Sequence, residues 1–84
     1  MVWVIEESAD CGIHWQRAEL TSPYFHPRVA LLEALEIIRD EWRPPENSLR
    51  ELVCALEKES VAYYWEKAIR IVRSVHRGEE PIPV

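Results

Sequence analysis

The chain has 84 residues, enough for one domain built around one small core. Hydrophobic residues make up 48% of it and there are four tryptophans, which excludes disorder by composition. The net charge is −5, with eight acids against three bases in residues 1–41 and seven of each in residues 42–84. Such an acidic chain is a poor candidate for direct DNA binding, because counterion release needs many cations on one face.

Residues 2–20 carry the pattern of a β-hairpin. The β-branched and aromatic run at 2–5 predicts a strand, and the alternation in residues 13–20 predicts its partner. Between them, Asp10 can bond to nearby backbone and Gly12 tolerates positive φ, as a turn requires. We predict the register that collects the apolar side chains on one face: Trp3, Ile5, Ile13 and Trp15.

The turn also carries a recognisable motif. Residues 8–15 read Ser-Ala-Asp-Cys-Gly-Ile-His-Trp, which resembles the Asp-box, Ser-x-Asp-x-Gly-x-Thr-Trp, of sialidases and other β-propellers. Four positions match (Ser8, Asp10, Gly12 and Trp15), and His14 replaces the usual threonine. In those families the box is a folding device, a hairpin whose tryptophan packs inward. The resemblance covers eight residues once, so it implies a hairpin and no sialidase activity, since 84 residues cannot supply a propeller.

A first helix is predicted over residues 27–42. Pro27 suits the first helical position, where its missing N–H would be unpaired anyway. Apolar residues then repeat at helical spacing from Leu31 to Trp42. Pro44 and Pro45 end the helix, because residues before proline avoid the α region.

A second, long helix is predicted over residues 48–77. Ser48 and Glu51 form a capping-box pattern at its start, and Gly78 is a natural stop. At 1.5 Å per residue this helix would be about 45 Å long, more than the diameter of about 30 Å expected for the whole domain. It is therefore either continuous and overhanging or broken near Ser60, and the lack of Gly or Pro favours continuity. The tail at 79–84 is predicted to be extended.

This long helix carries a second apolar stripe beside its main one, formed by Cys54, Val61, Trp65 and Ile69. A helix that is apolar on two sides is buried on two sides. Either the rest of the domain covers the second stripe, or it contacts a second copy or a target protein. The candidate partner-binding residues are Val61, Trp65, Ile69 and Trp42.

A stripe of bases recurs at intervals of three or four residues in the same segment: Lys67, Arg70, Arg73 and Arg77. On a helix these would share one side and could bind RNA, DNA or an acidic protein. Alternatively, they complement the helix dipole and the acids of the first helix.

No residue pattern predicts catalysis or metal binding. The three histidines lack ligand-type partners at helical spacing, and the cysteines lack zinc-site spacing. Cys11 is expected to be an exposed turn residue, although His14 could act as a base for it. Cys54 is expected to be a small buried hydrophobe. Paired carboxylates need a cleft, so Glu6, Glu7 and Asp10 are interpreted as a solvated face. We expect no enzyme, no cofactor and no bound metal.

The predicted fold is α+β, with an N-terminal β-hairpin packed against two or three C-terminal helices. Its predicted core is Trp3, Ile5, Trp15, Leu31, Leu35, Ile38, Leu52, Leu56, Tyr64, Ala68 and Ile71. With no signal peptide or membrane-span pattern, we expect a cytoplasmic protein.

The expected function is a small protein-binding module that occupies a surface on a larger partner. The alternatives are a homo-oligomeric adaptor assembled through the long helix and a nucleic-acid-associated regulator using the basic stripe. As a small, compact, single-domain chain it resembles phage and prophage accessory proteins, which include inhibitors of bacterial defence.

Overall fold

The computed structural model describes residues 1–18 and 23–74. Its elements, in chain order, are β1 (Val2–Ser8), β2 (Gln16–Arg17), α1 (Pro27–Ile37), a π-helical segment (Ile38–Trp42), α2 (Glu46–Glu59), β3 (Val61–Tyr64) and β4 (Lys67–Ser74). The fold is therefore mixed α+β, as predicted. Its sheet, however, draws strands from both ends of the described chain instead of from one N-terminal hairpin.

The four strands form one antiparallel sheet in the order β2-β1-β4-β3. The central pair is long, with β1 and β4 in register from Val2 opposite Ser74 to Ser8 opposite Ala68. β2 adds only two residue pairs to the other side of β1, and β3 forms the opposite edge. The strand from residue 2 was predicted correctly, but its main partner is β4, which the sequence predicted to be helical.

The two helices cover one face of this sheet. Buried Ile5 and Ile69 point from the central strands toward buried Ile38, Leu52 and Leu56 of the helical layer. Partly buried hydrophobic residues complete this core, and among the predicted core members they include Leu31, Leu35, Tyr64 and Ile71. The other side of the sheet, which we call the outer face, carries the residues that alternate with these, such as Val4, Arg70 and Val72.

The predicted helix over residues 48–77 is wrong in its second half. α2 ends at Glu59, and Ser60 takes the left-handed conformation with φ 64° while its N–H donates to the Leu56 carbonyl at 3.0 Å. The chain then forms the β3–β4 hairpin. The break near Ser60 was one of the two predicted alternatives, but strands follow it instead of another helix. The predicted end near Arg77 and the tail at 79–84 lie outside the described residues.

The predicted register of the N-terminal hairpin is also wrong. Glu7 pairs with Gln16 and Glu6 with Arg17, so the reversal is longer than a tight turn at Gly12. Trp3 faces the helices, whereas Trp15 lies on the outer face. Ile13 is exposed in the loop, and Ala68 is buried on the outer face opposite Ser8. Residues 19–20 of the predicted second strand lie outside the described residues.

The helix starts show one prediction confirmed and one corrected. α1 begins at Pro27 as predicted, and the His26 ring accepts the Arg28 N–H at 3.2 Å. Helical structure continues to Trp42 through the π-helical segment, whose last turn closes with an Arg43 N–H bond to the Ile38 carbonyl. α2 begins at Glu46 behind the two prolines, so Ser48 lies inside the helix and does not cap it. Within the described ranges, no helix is both long and apolar enough to cross a membrane.

Candidate functional site

The loop after β1 is held by its own side chains. The Ser8 hydroxyl donates to Asp10 Oδ1 at 2.6 Å and accepts the Gly12 N–H at 2.9 Å. Asp10 Oδ1 also accepts the His14 N–H at 2.9 Å, and its Oδ2 lies 2.6 Å from the His14 ring Nδ1. The Ser8 hydroxyl first, and then the two His14 groups, hold the pKa of Asp10 well below its usual range. The ionised carboxylate therefore links Ser8 and His14 across the loop.

This loop is joined to the tip of the β3–β4 hairpin. The Cys11 N–H donates to the Glu66 carbonyl at 2.8 Å, and the Cys11 thiol lies 3.8 Å from the Trp65 carbonyl. Cys11 and Gly12 both have positive φ, 61° and 87°, which turns the loop toward the hairpin. Two segments that are more than fifty residues apart in sequence therefore form one end of the molecule.

Arg70 holds the Trp15 ring on the outer face at this end of the sheet. The Arg70 guanidinium lies 4.1 Å from the centre of the Trp15 ring, a cation–π geometry. The same guanidinium forms an ion pair with Glu6 at 2.7 Å, which holds it in place over the ring. The rings of Trp15 and Tyr63 both lie close to Gly12, where an added Cβ would be 3.2 Å from an atom of each ring.

A second set of rings runs from the π-helical segment to the hairpin tip. Trp42 stacks on Tyr64 with ring centres 6.3 Å apart and planes 12° from parallel. Tyr64 in turn meets Trp65 edge-to-face at 6.3 Å and 79°. These are favourable aromatic geometries, so the hairpin tip is fixed from the helical side as well.

We call this region the aromatic end of the sheet, formed by Trp15, Trp42, Tyr63, Tyr64 and Trp65. Trp65 is 79% exposed and Tyr63 is 55% exposed. Ile13, in the loop bonded to the same tip, is 73% exposed. Large apolar side chains are thus ordered by neighbours and still open to solvent.

The predicted helical stripe through Val61, Trp65 and Ile69 does not form, because residues 61–64 and 67–74 are strands joined by a turn. Trp42 and Trp65 do come together, through Tyr64. Val61 is partly buried at the start of the edge strand β3. Ile69 is 0% exposed in the core, so its side chain cannot contact a partner in this fold.

The predicted basic stripe is also dispersed by the strand geometry. Successive side chains of a strand point to opposite faces, so Arg70 lies on the outer face while Lys67 and Arg73 lie on the other side. Arg77 lies outside the described residues. The helical spacing that motivated a nucleic-acid surface is therefore absent from the described part of β4.

The remaining candidates for chemistry are scattered. Cys11 is exposed as expected, but Cys54 is exposed and not buried, because it lies on the side of α2 away from the core. His14 contacts Asp10 in the loop, and His26 caps α1. Among the described residues, no three His, Cys, Asp or Glu side chains converge as a metal site would require.

Sequence reasoning missed Tyr63 and Ile13 as exposed residues of this end, because residues 48–77 were predicted to be one helix and Ile13 was placed on the apolar face of the hairpin. The signal that could have found Tyr63 is the density of β-branched and aromatic residues from Val61 onward, which favours strands.

Comparison with protein-family models, with curated proteins and with solved structures gives no match for this chain.

Proposed function

We propose that the chain is a non-enzymatic protein-binding module that contacts a larger protein through the aromatic end of the sheet. The observation that carries this proposal is the exposure of Trp65 and Tyr63, 79% and 55%, on a hairpin tip that is held from both sides. Trp, Tyr and Arg dominate the residues that contribute most to protein–protein binding.

The preorganisation of this end supports the proposal. Binding costs about 0.5–1.5 kcal/mol for each flexible side chain that must be immobilised. Here Arg70 already holds Trp15, and Tyr64 already holds Trp65, so much of this ordering is complete before a partner arrives. The rings can therefore enter pockets of a partner with little further loss of entropy.

In this proposal the protein acts by occupying a surface of its partner. The resemblance in size to phage accessory proteins makes a bacterial defence complex one candidate partner. The adaptor alternative relied on assembly through a helix over residues 48–77, which the structure replaces with a helix and a hairpin.

The test is a pair of matched charge substitutions. Trp65→Glu places a charge on the hairpin tip, and Leu32→Glu does the same at a 62% exposed apolar position on α1, away from the tip. Both variants should melt near the wild-type temperature, because both positions are exposed. We expect affinity purification from the native host, followed by mass spectrometry, to lose a partner with Trp65→Glu and keep it with Leu32→Glu. Equal capture by both variants would refute the proposal.

A further inference from the structure

We propose that the open edge of β3, with the groove between it and α2, binds an extended basic segment of the partner as an added β-strand. This inference rests on the proposed function, because it names the element of the partner that is recognised. It concerns a surface next to the aromatic end, since β3 leads directly into the hairpin tip.

The hydrogen-bond pattern of the hairpin shows which groups β3 leaves open. In an antiparallel pair, bonded and non-bonded residue pairs alternate. The Ile71 N–H donates to the Ser60 carbonyl at 2.9 Å, so the bonded positions of this strand are Ser60, Ala62 and Tyr64. The N–H and C=O groups of Val61 and Tyr63 consequently point away from β4. No described strand lies on that side of β3, so these groups can pair with an added strand.

The groove beside this edge has the shape and chemistry to hold the added strand's side chains. It has a volume of about 300 Å³ and runs between α2 and β3. Apolar Leu52 and Ala55 of α2 line it, and so do Glu51 and Glu59, which precede and follow them along the helix. No described basic side chain lines it, so charge complementarity favours a cationic segment.

The spacing of the two carboxylates predicts a sequence pattern. Glu51 and Glu59 are eight residues apart on α2, which is about 12 Å along a helix at 1.5 Å per residue. Four residues of an extended strand span about 14 Å at 3.4 Å each, and every second side chain faces the same side. The expected segment therefore has the pattern Lys/Arg-x-apolar-x-Lys/Arg. Its two basic residues match the spacing of Glu51 and Glu59, and its apolar residue matches Leu52 and Ala55.

The same charges argue against the two occupants that the chain itself could supply. A second copy pairing symmetrically through β3 would bring its own Glu51 and Glu59 toward those of the first. The chain's C-terminal segment carries Glu79 and Glu80, which would enter an acidic groove. A basic segment from another protein avoids both repulsions.

Amide exchange on the full chain, measured by NMR, tests the proposal residue by residue. The probe is a capped heptapeptide, Thr-Lys-Thr-Val-Thr-Lys-Thr, and its matched control replaces both lysines with glutamates. At millimolar concentration we expect the basic peptide to slow exchange of the Val61 and Tyr63 amides at least ten-fold. The Ala62 and Tyr64 amides should not change, because they already donate to β4.

A charge-reversed protein provides the matching control on the other side. The double variant Glu51→Lys, Glu59→Lys alters two exposed side chains of α2, so the fold should persist. We expect it to reverse the preference, binding the glutamate peptide better than the lysine peptide. Unchanged preference would overturn the assignment of these carboxylates.

The other occupants give distinct results that overturn the proposal. Protection of Val61 and Tyr63 without peptide, independent of protein concentration, would mean that the chain's own C-terminal segment covers the edge. Protection that increases with protein concentration would mean a second copy. No change with the basic peptide refutes the added strand alone, because the proposed function is judged separately by partner capture with Trp65→Glu.

Discussion

Replacement of Gly12 by alanine tests how the loop after β1 is fitted to the sheet. Gly12 has φ 87°, and a Cβ there would lie 3.2 Å from atoms of both Trp15 and Tyr63. A left-handed conformation costs an L-residue about 1–2 kcal/mol, of which about 0.4–1 kcal/mol is recovered because alanine restricts the unfolded chain. Moving two rings adds to this cost, and Trp15 has little freedom under Arg70. We expect a net destabilisation of about 1–2 kcal/mol.

Chemical denaturation followed by tryptophan fluorescence and circular dichroism measures this change. For a domain of this size it corresponds to a melting temperature lower by about 5–15 °C. Ile13→Ala in the same loop is the control, and it should change stability by less than about 0.5 kcal/mol because Ile13 is exposed. A Gly12→Ala protein as stable as the wild type would show that the loop is not packed between the two rings.

Three further predictions concern the loop, the outer face and the core. Because the folded-state pKa of Asp10 is lowered, its contribution is present above the unfolded pKa of about 3.9 and is lost as pH falls below it. Urea unfolding should therefore show the advantage of wild type over Asp10→Asn beginning to shrink as the pH falls below about 4 and still shrinking below about pH 3, and a constant difference would contradict this. Arg70→Met should cost about 1 kcal/mol and change the fluorescence of Trp15, because the cation over the ring is removed; unchanged emission would contradict that contact. Ile69→Ala should cost about 2–4 kcal/mol and Trp65→Ala less than about 1 kcal/mol in thermal melts, because only the first side chain is buried; similar losses would favour a shared helical stripe.

The parts of the fold that the sequence predicted are those with strong local signals. The run at residues 2–5 has the composition of a strand, and Pro27 marks the start of α1. Helical periodicity up to Trp42 is followed by two prolines, which end the helical structure. Ile5, Ile38, Leu52 and Leu56 were assigned to the core correctly, because each lies on the apolar stripe of an element whose type was right.

The error after Ser60 has a physical reason. Apolar residues in this segment fit a helical period as well as a strand period, and short apolar runs do not distinguish the two. The turn between β3 and β4 has Trp65 and Glu66 at its centre instead of the Gly or Asn that favours two-residue hairpins. Ser60 likewise ends α2 at positive φ where glycine is the usual residue. The end of α2 and the β3–β4 turn both lack the glycine that usually marks such positions, so the sequence pattern indicated one continuous helix.

The misplacement of Trp15 depends on side-chain bonds that periodicity does not represent. The predicted tight turn assumed that strand pairing continues to the residues beside Gly12. Instead, the bonds among Ser8, Asp10 and His14 form a loop with its own structure, and pairing resumes only at Gln16. A shift of pairing by one residue reverses the face of every side chain, so Trp15 joins the outer face. The position of Trp15 in the candidate site therefore depended on a register that periodicity alone did not determine.

The backbone conformation of Trp65 supports the proposed binding role of this residue. Trp65 has φ 57°, a conformation that is unfavourable for a bulky side chain and that glycine would adopt at lower cost. Its ring is 79% exposed and gives the fold an edge contact with Tyr64, worth about 0.5–1.5 kcal/mol. That contact at most offsets the backbone cost of about 1–2 kcal/mol. Strained residues of this kind cluster at functional sites, so the strained, exposed position of this indole agrees with the proposal that it contacts a partner protein.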